Sequence, residues 1–233
     1  MEAIILAGGK GTRLKSVIDD IPKPMAPIGK KPFLSFILDQ LAAQDFKRVI
    51  LSTGYKHEVV EQRYQKSYRG LEIRYSREQE PLGTGGAIRK ALSLTESKQV
   101  FIFNGDTLFE VDLKDMHNYH NSMNADMTIA LKKMDDCSRY GTVETENGRI
   151  TRFREKKANQ LGAINGGIYL FSQKVLKAVK EMPEIFSFEQ DFMQVKYKDL
   201  KMMGYISDAF FIDIGIPADY QKAQNHLMSY DQA

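Results

Sequence analysis

The sequence predicts an α/β protein of three layers, with helices on both faces of a mixed, mainly parallel sheet and a small antiparallel excursion late in the chain. Three observations predict it. Apolar, β-branched runs alternate with segments of helical periodicity through the first half. Several of these runs end in glycine-rich or polar turns, at the carboxyl edge where open α/β sheets bind ligands. The second half changes to consecutive strand-like runs joined by the hairpin signal Asn147-Gly148.

Ala3–Ala7 is short, apolar and rich in isoleucine, which reads as a strand buried on both faces. It breaks at once into Gly8, Gly9, Lys10, Gly11, Thr12 and Arg13. Pro32–Phe46 places Phe33, Phe36, Ile37 and Leu41 at helical spacing and leads into a strand over Arg48–Thr53. A helix is expected over Glu58–Tyr68, a strand over Glu72–Ser76, a helix over Gly85–Leu94 and a strand over Val100–Phe103 that delivers Asn104, Gly105 and Asp106. Strands follow at Met127–Lys133, Thr142–Glu146, Arg149–Glu155 and Gly167–Phe171, with helices over Gln173–Met182 and Ser187–Tyr197. A last strand is expected at Phe211–Ile214, and Pro217 starts a terminal helix with Tyr220 and Leu227 on its inner face. No linker-like composition divides the chain, so residues 1–233 are expected to form one domain, with a ligand-cradling half over about 1–110 and a second half over about 111–233.

Composition narrows the function. A chain that is 42% hydrophobic and 27% charged is of ordinary globular type. A net charge of +3 is too small and dispersed to argue for nucleic acid. Cys137 is the only cysteine, which removes an intrachain disulfide and fits a reducing cytosol. The first apolar run is interrupted by Gly8 and lacks a basic leader, so neither export nor a membrane anchor is expected and the location is expected to be cytoplasmic.

The first turn fits neither common nucleotide fingerprint: Lys10 precedes Gly11 instead of following the last glycine, and Leu14 stands where a dinucleotide motif needs glycine. It still offers free backbone N–H groups followed by a permanently charged guanidinium, Arg13, suited to phosphate oxygens. In Ile21-Pro22-Lys23-Pro24-Met25 two prolines stiffen the backbone around Lys23; the simpler reading is a solvated loop lysine. Asp106 in FIFNGDTLF and Asp213 in FFIDIGIP are carboxylates enclosed by apolar residues, which is costly unless they are paired or bind a metal. Separate turn aspartates are the competing explanation; a shared divalent site, with magnesium favoured by oxygen ligands, is the sharper one. His117 and His120 lack a glutamate partner and are expected at the surface, and Met202-Met203 and the tyrosines are expected to pack.

The ordered set LAGGKGTRL, PKPM, EPLGTGGA, NGD, the Glu155-Lys156 pair, NGGIY and FIDIG, spread over essentially the whole chain, resembles the sugar-1-phosphate nucleotidyltransferases. The resemblance implies their Rossmann-like α/β/α fold, and the short chain and EPLGTGGA look most like guanylyltransferases of the family. It implies that Leu6, Ala7, Gly8, Gly9, Gly11 and Thr12 hold the nucleotide, that Arg13 binds its triphosphate and that Lys23 neutralises phosphate charge. Asp106 and Asp213 would hold Mg2+, and Glu80, Pro81, Leu82, Gly83 and Thr84 would line base and ribose. Gly141, Glu155, Lys156 and Asn165 would receive the sugar phosphate; without the resemblance, Glu155 and Lys156 read as a solvated strand end.

The implied reaction joins GTP and a sugar 1-phosphate, with a mannose-configured heptose expected first and mannose or another hexose as the alternative, for surface polysaccharide synthesis. A sugar phosphate is largely dianionic near neutrality, with a second pKa of about 6, so no general base is needed. A regulatory pseudoenzyme is disfavoured because Arg13, Lys23, Asp106 and Asp213 are all present. Glu80 is the nearest acidic candidate for reading guanine, with Glu78 the other. Association of copies of the chain is left open.

Overall fold

Along the first strand Ala3 and Ile5 face one apolar core and Ile4 faces another, as the two-residue period of a strand buried on both sides requires. The structure, a computed structural model, describes residues 1–9, 21–156 and 161–228. In chain order its elements are β1 (Glu2–Leu6), β2 (Pro27–Ile28), β3 (Lys31–Pro32), α1 (Phe33–Ala43), β4 (Arg48–Thr53), α2 (His57–Tyr64), β5 (Ser67–Tyr68) and β6 (Leu71–Arg77). There follow α3 (Gly83–Ala91), β7 (Val100–Asn104), β8 (Thr107–Phe109), α4 (Leu113–Ser122), β9 (Met127–Met134), β10 (Thr142–Glu146), β11 (Arg149–Arg154) and β12 (Gly162–Phe171). The chain continues through α5 (Gln173–Lys180), α6 (Gln194–Lys196), β13 (Met202–Ser207), β14 (Phe211–Asp213) and α7 (Pro217–Leu227).

A ten-stranded sheet runs in the order β10-β11-β13-β9-β12-β7-β1-β4-β6-β5. The pairs β1–β4, β1–β7 and β4–β6 are parallel, whereas β12 joins β7 and β9 antiparallel. The later strands therefore extend the same sheet. On one face Phe33, Leu38 and Leu41 of α1, Leu113 and Met116 of α4 and Leu227 of α7 pack against the strands. On the other, Ile88 and Ala91 of α3 join Val175 and Val179 of α5 and the rings of Phe188 and Phe192. These are the three layers that the alternation of elements predicts.

Several expectations need correction. The helix expected to reach Tyr68 stops at Tyr64: Gln65 takes a positive φ of 50°, and Ser67 then pairs with Glu72 in a hairpin. Tertiary pairing overrides a helical pattern there. The helix expected over Ser187–Tyr197 opens with a π turn, Phe188–Met193, which stacks Phe188 on Phe192 at 5.4 Å before α6. The sequence reading missed β8, α4 and β13. His120, expected at the surface, is buried beside Thr128, with 2.8 Å between its Nδ1 and the threonine Oγ1.

Candidate active site

The carboxyl ends of β1 and β7 come together because the Gly105 N–H donates to the Leu6 carbonyl at 3.0 Å. A Cβ on Gly105 would fall 2.4 Å from that oxygen, so only glycine allows the approach. The next turn leads into β8, which pairs antiparallel with β14 and sets Asp213 opposite Thr107. The Ile214 N–H donates to the Asp106 carbonyl at 3.0 Å and closes the same ladder. Backbone register thus brings two aspartates distant in sequence to one place.

Lys23 lies between them. Its side chain is only 10% exposed, and its ammonium donates to Asp106 Oδ2 and lies 3.7 Å from Asp213 Oδ1. Lys23 is no solvated loop lysine: Pro22 and Pro24 flank it, and a single turn of 3-10 helix over Lys23–Met25 aims it inward. Asp106 also accepts from the Thr107 hydroxyl at 3.3 Å, and Asp213 from the Gly215 N–H at 2.7 Å. Two carboxylates and one ammonium leave a net negative oxygen cluster, a donor set that fits a hard divalent cation. Among the described residues no group of three or more His, Cys, Asp or Glu could hold a metal, so the protein would contribute this carboxylate pair, with water and ligand oxygens completing the shell.

Beside this cluster a cleft of about 350 Å³ is lined by Gly8, Gly9, Lys23, Glu78, Gly83, Thr84 and Asp106, together with Leu6, Pro81, Asn104 and Glu189. Ala7 lies buried behind the turn, its N–H donating to the Ser52 carbonyl at 2.7 Å. Gly11, Thr12 and Arg13 lie outside the described residues. Glu80 is exposed and is not part of the lining, whereas Glu78, the other acidic candidate, is. Glu78 is the first residue beyond β6 and turns inward to accept the Leu82 N–H at 3.2 Å and the Ser52 hydroxyl at 3.4 Å. Burial raises its pKa above the ordinary carboxylate value.

Glu189 is a lining residue that the sequence reading missed. It accepts the Thr84 hydroxyl at 2.7 Å, while the Phe188 N–H donates to the same hydroxyl at 2.9 Å. The first turn of α3 is thereby bolted to the π turn. The sequence offered little to single it out, since the SFEQDF run carries a second acidic residue, Asp191, beside Glu189.

The second set of expected residues belongs to the later strands of the same sheet, β10, β11 and β12. Thr142 pairs with both Arg154 and Ile164, so the same registers carried one step further put Gly141 between Glu155 and Asn165. Glu155 and Lys156 are exposed; Asn165 is half-buried and donates to the Tyr169 hydroxyl at 2.8 Å. Tyr169 is buried, and the polar side chain of Asn104, which lines the cleft, acts on its hydroxyl as Asn165 does. Tyr140, next to Gly141, has its pKa pushed up to about 12, first by burial and then by the negative charge of Asp213.

Fold and site together define an α/β protein whose sheet edge carries a glycine turn and a lysine clasped by two aspartates, equipment for a phosphate-bearing ligand. A family model described as nucleotidyl transferase matches residues 2–229, and the chain belongs to that family. It is 53% identical to a D-glycero-alpha-D-manno-heptose 1-phosphate guanylyltransferase of Aneurinibacillus thermoaerophilus, over 99% of this chain and 100% of the relative. A protein of the same description from Campylobacter jejuni is 47% identical over 94% of this chain and 97% of its own. The crystal structure of HddC from Yersinia pseudotuberculosis complexed with GMP-PN superposes with a TM-score of 0.85 at 38% identity, covering 97% of this chain and 99% of that one. No helix among the described residues is long and apolar enough to cross a membrane.

Proposed function

We propose that the protein is a guanylyltransferase that moves GMP from GTP to D-glycero-α-D-manno-heptose 1-phosphate, releasing pyrophosphate and forming the GDP-sugar. The observation that carries this reading is end-to-end similarity, 53% over 99% of the chain, to a relative described by that activity. The cleft supplies parts that suit the chemistry. A phosphate oxygen of the sugar attacks the α-phosphorus of GTP, a P–O bond forms, and the bond to the β-phosphate breaks with its electron pair leaving on pyrophosphate. The attacking monoester is already ionised, with a second pKa of about 6, so positioning and charge neutralisation are what the protein must provide.

In this reading the Gly8–Gly9 backbone and Arg13 hold the triphosphate, and Glu78 accepts the adjacent N1 and N2 hydrogens of guanine. Lys23 offers its ammonium to the transferring phosphate, exchanging part of its contact with Asp106. Glu155 and Asn165 take sugar hydroxyls, and Lys156 takes the sugar phosphate. Asp106 and Asp213 would hold Mg2+, which when bound supplies charge neutralisation at phosphate oxygens. The nucleotide half, about 1–110, and the sugar half, about 111–233, share one sheet, so their ligands approach the same edge.

A panel of acceptors with GTP and magnesium, followed by pyrophosphate release, tests the assignment. The heptose 1-phosphate is expected to give the highest kcat/KM. Mannose 1-phosphate lacks one hydroxymethylene carbon and leaves polar groups unpaired, a defect of about 1–3 kcal/mol and hence a preference of roughly 10-fold or more. Equal or better efficiency with mannose 1-phosphate would remove the heptose and leave the transferase.

A further inference from the structure

The loop between β9 and β10 carries Tyr140 and Gly141, and one ion pair ties it to the opposite end of the chain. The Arg139 guanidinium donates to Asp219 Oδ2, and the Asp219 side chain, in the first turn of α7, is only 6% exposed. The same guanidinium lies over the Tyr140 ring, 5.4 Å from its centroid. Tyr140 in turn meets the Phe211 ring edge-on at 6.2 Å. Phe211 starts β14, the strand that ends in Asp213. Behind it, Phe211 packs edge-on against Phe109 of β8, at 5.6 Å. Arg139, Tyr140 and Phe211 thus form a continuous chain of contacts from α7 to the strand bearing one of the two aspartates.

A lone surface ion pair would mean little. This one is different in its carboxylate, which is taken out of water and needs a partner. Asp219 has a second cation, Lys222, whose ammonium lies 3.4 Å from Oδ1. Charge balance alone is therefore met without Arg139. What Arg139 adds is geometric: a planar fork that can hold a carboxylate and lie over a ring at once. On its other side the loop is held close to β11, where a Cβ on Gly141 would fall 2.7 Å from the Arg154 carbonyl oxygen.

We propose that Arg139 and Asp219 are positioning residues for the acceptor: the pair fixes the Tyr140–Gly141 segment over the Asp213 strand, and so sets where the sugar 1-phosphate lies relative to the carboxylates. The inference rests on the proposed assignment of Gly141 to the sugar site. It separates acceptor binding from nucleotide binding, because neither residue lines the cleft beside the glycine turn.

The test uses wild type, Arg139→Ala, Arg139→Lys and Asp219→Asn. For each, KM for the sugar 1-phosphate and kcat are measured at saturating GTP, GTP affinity is measured by calorimetry with magnesium, and Tm is recorded. Arg139→Ala is expected to raise the acceptor KM about 10-fold or more, the scale typical of losing a group that orients a ligand contact, while GTP affinity stays within about twofold. Asp219→Asn should act in the same direction. Arg139→Lys, which keeps charge but not the fork, should recover only part of the loss. A lower Tm in Arg139→Ala with an unchanged acceptor KM would make the pair merely structural and overturn the proposal, as would equal losses of GTP and acceptor binding. If the wild-type protein itself released no pyrophosphate from GTP with any sugar 1-phosphate, the proposed function would fail first, and that failure is read before any variant is compared.

Discussion

Glu78 and Glu80 stand two positions apart in the same short run, and their surroundings separate them. Glu78 faces the cleft with a Ser52 contact and a raised pKa, while Glu80 is exposed. Glu78→Gln is expected to lower the preference for GTP over ATP and UTP by roughly 10-fold or more, the usual scale for an unpaired buried polar group. Glu80→Gln should leave it unchanged. Competition assays with the three nucleotides check this, and erosion by Glu80→Gln instead would return the role to that residue. His120 offers a second test, of stability. Burial holds its pKa down at about 4, against an ordinary value of 6.5, and its Nε2 is buried with no hydrogen-bond partner. A histidine harder to protonate when folded binds fewer protons than the unfolded chain between those two values. Its contribution is therefore complete above pH 6.5 and is lost as pH falls toward 4, by at most on the order of 3 kcal/mol. Denaturant titrations from pH 7.5 to about pH 4.5 should show this decline, and His120→Gln should flatten it. An equal slope in the variant would assign the decline to other groups.

At the scale of elements, legibility followed how local the determining interaction is. β4 was read at its observed bounds because an apolar β-branched run in the middle of a parallel sheet needs no partner to be recognised. α7 announced itself through Pro217 at its first position. By contrast β8 is three residues long and exists because β14, far along the chain, pairs with it. Asp106 and Asp213 could be singled out as enclosed carboxylates, but their convergence depends on that pairing, and so does the capture of Lys23. Glu189 was missed for the same reason: its contact is with Thr84, at the start of the distant helix α3. The β1–β7 approach is the element-level feature most open to test. In Gly105→Ala the new methyl would meet the Leu6 carbonyl oxygen, a backbone atom at 2.4 Å. A loss of about 1–3 kcal/mol of stability is expected, with a larger proportional loss of turnover because Asp106 is displaced with the turn. Urea unfolding and steady-state kinetics measure the two effects; unchanged turnover in a destabilised variant would show that the approach does not position Asp106.

At the scale of the whole molecule, one ten-stranded sheet packed between two apolar cores joins the strands that lead to the carboxylate pair and those that carry the Gly141 group. If this edge transfers GMP as proposed, Asp106 and Asp213 are indispensable to the transfer. The direct measurement follows label from GTP carrying 32P at the α-phosphate, with magnesium and D-glycero-α-D-manno-heptose 1-phosphate, in wild type and in Asp106→Asn and Asp213→Asn variants shown to fold by circular dichroism. Label is expected in GDP-heptose for wild type, with a loss of about 100-fold or more in each variant, since removing one transition-state electrostatic contact typically costs that much. Label that remained in GTP with the wild-type protein, or that reached the sugar nucleotide at the wild-type rate in both folded variants, would contradict that expectation.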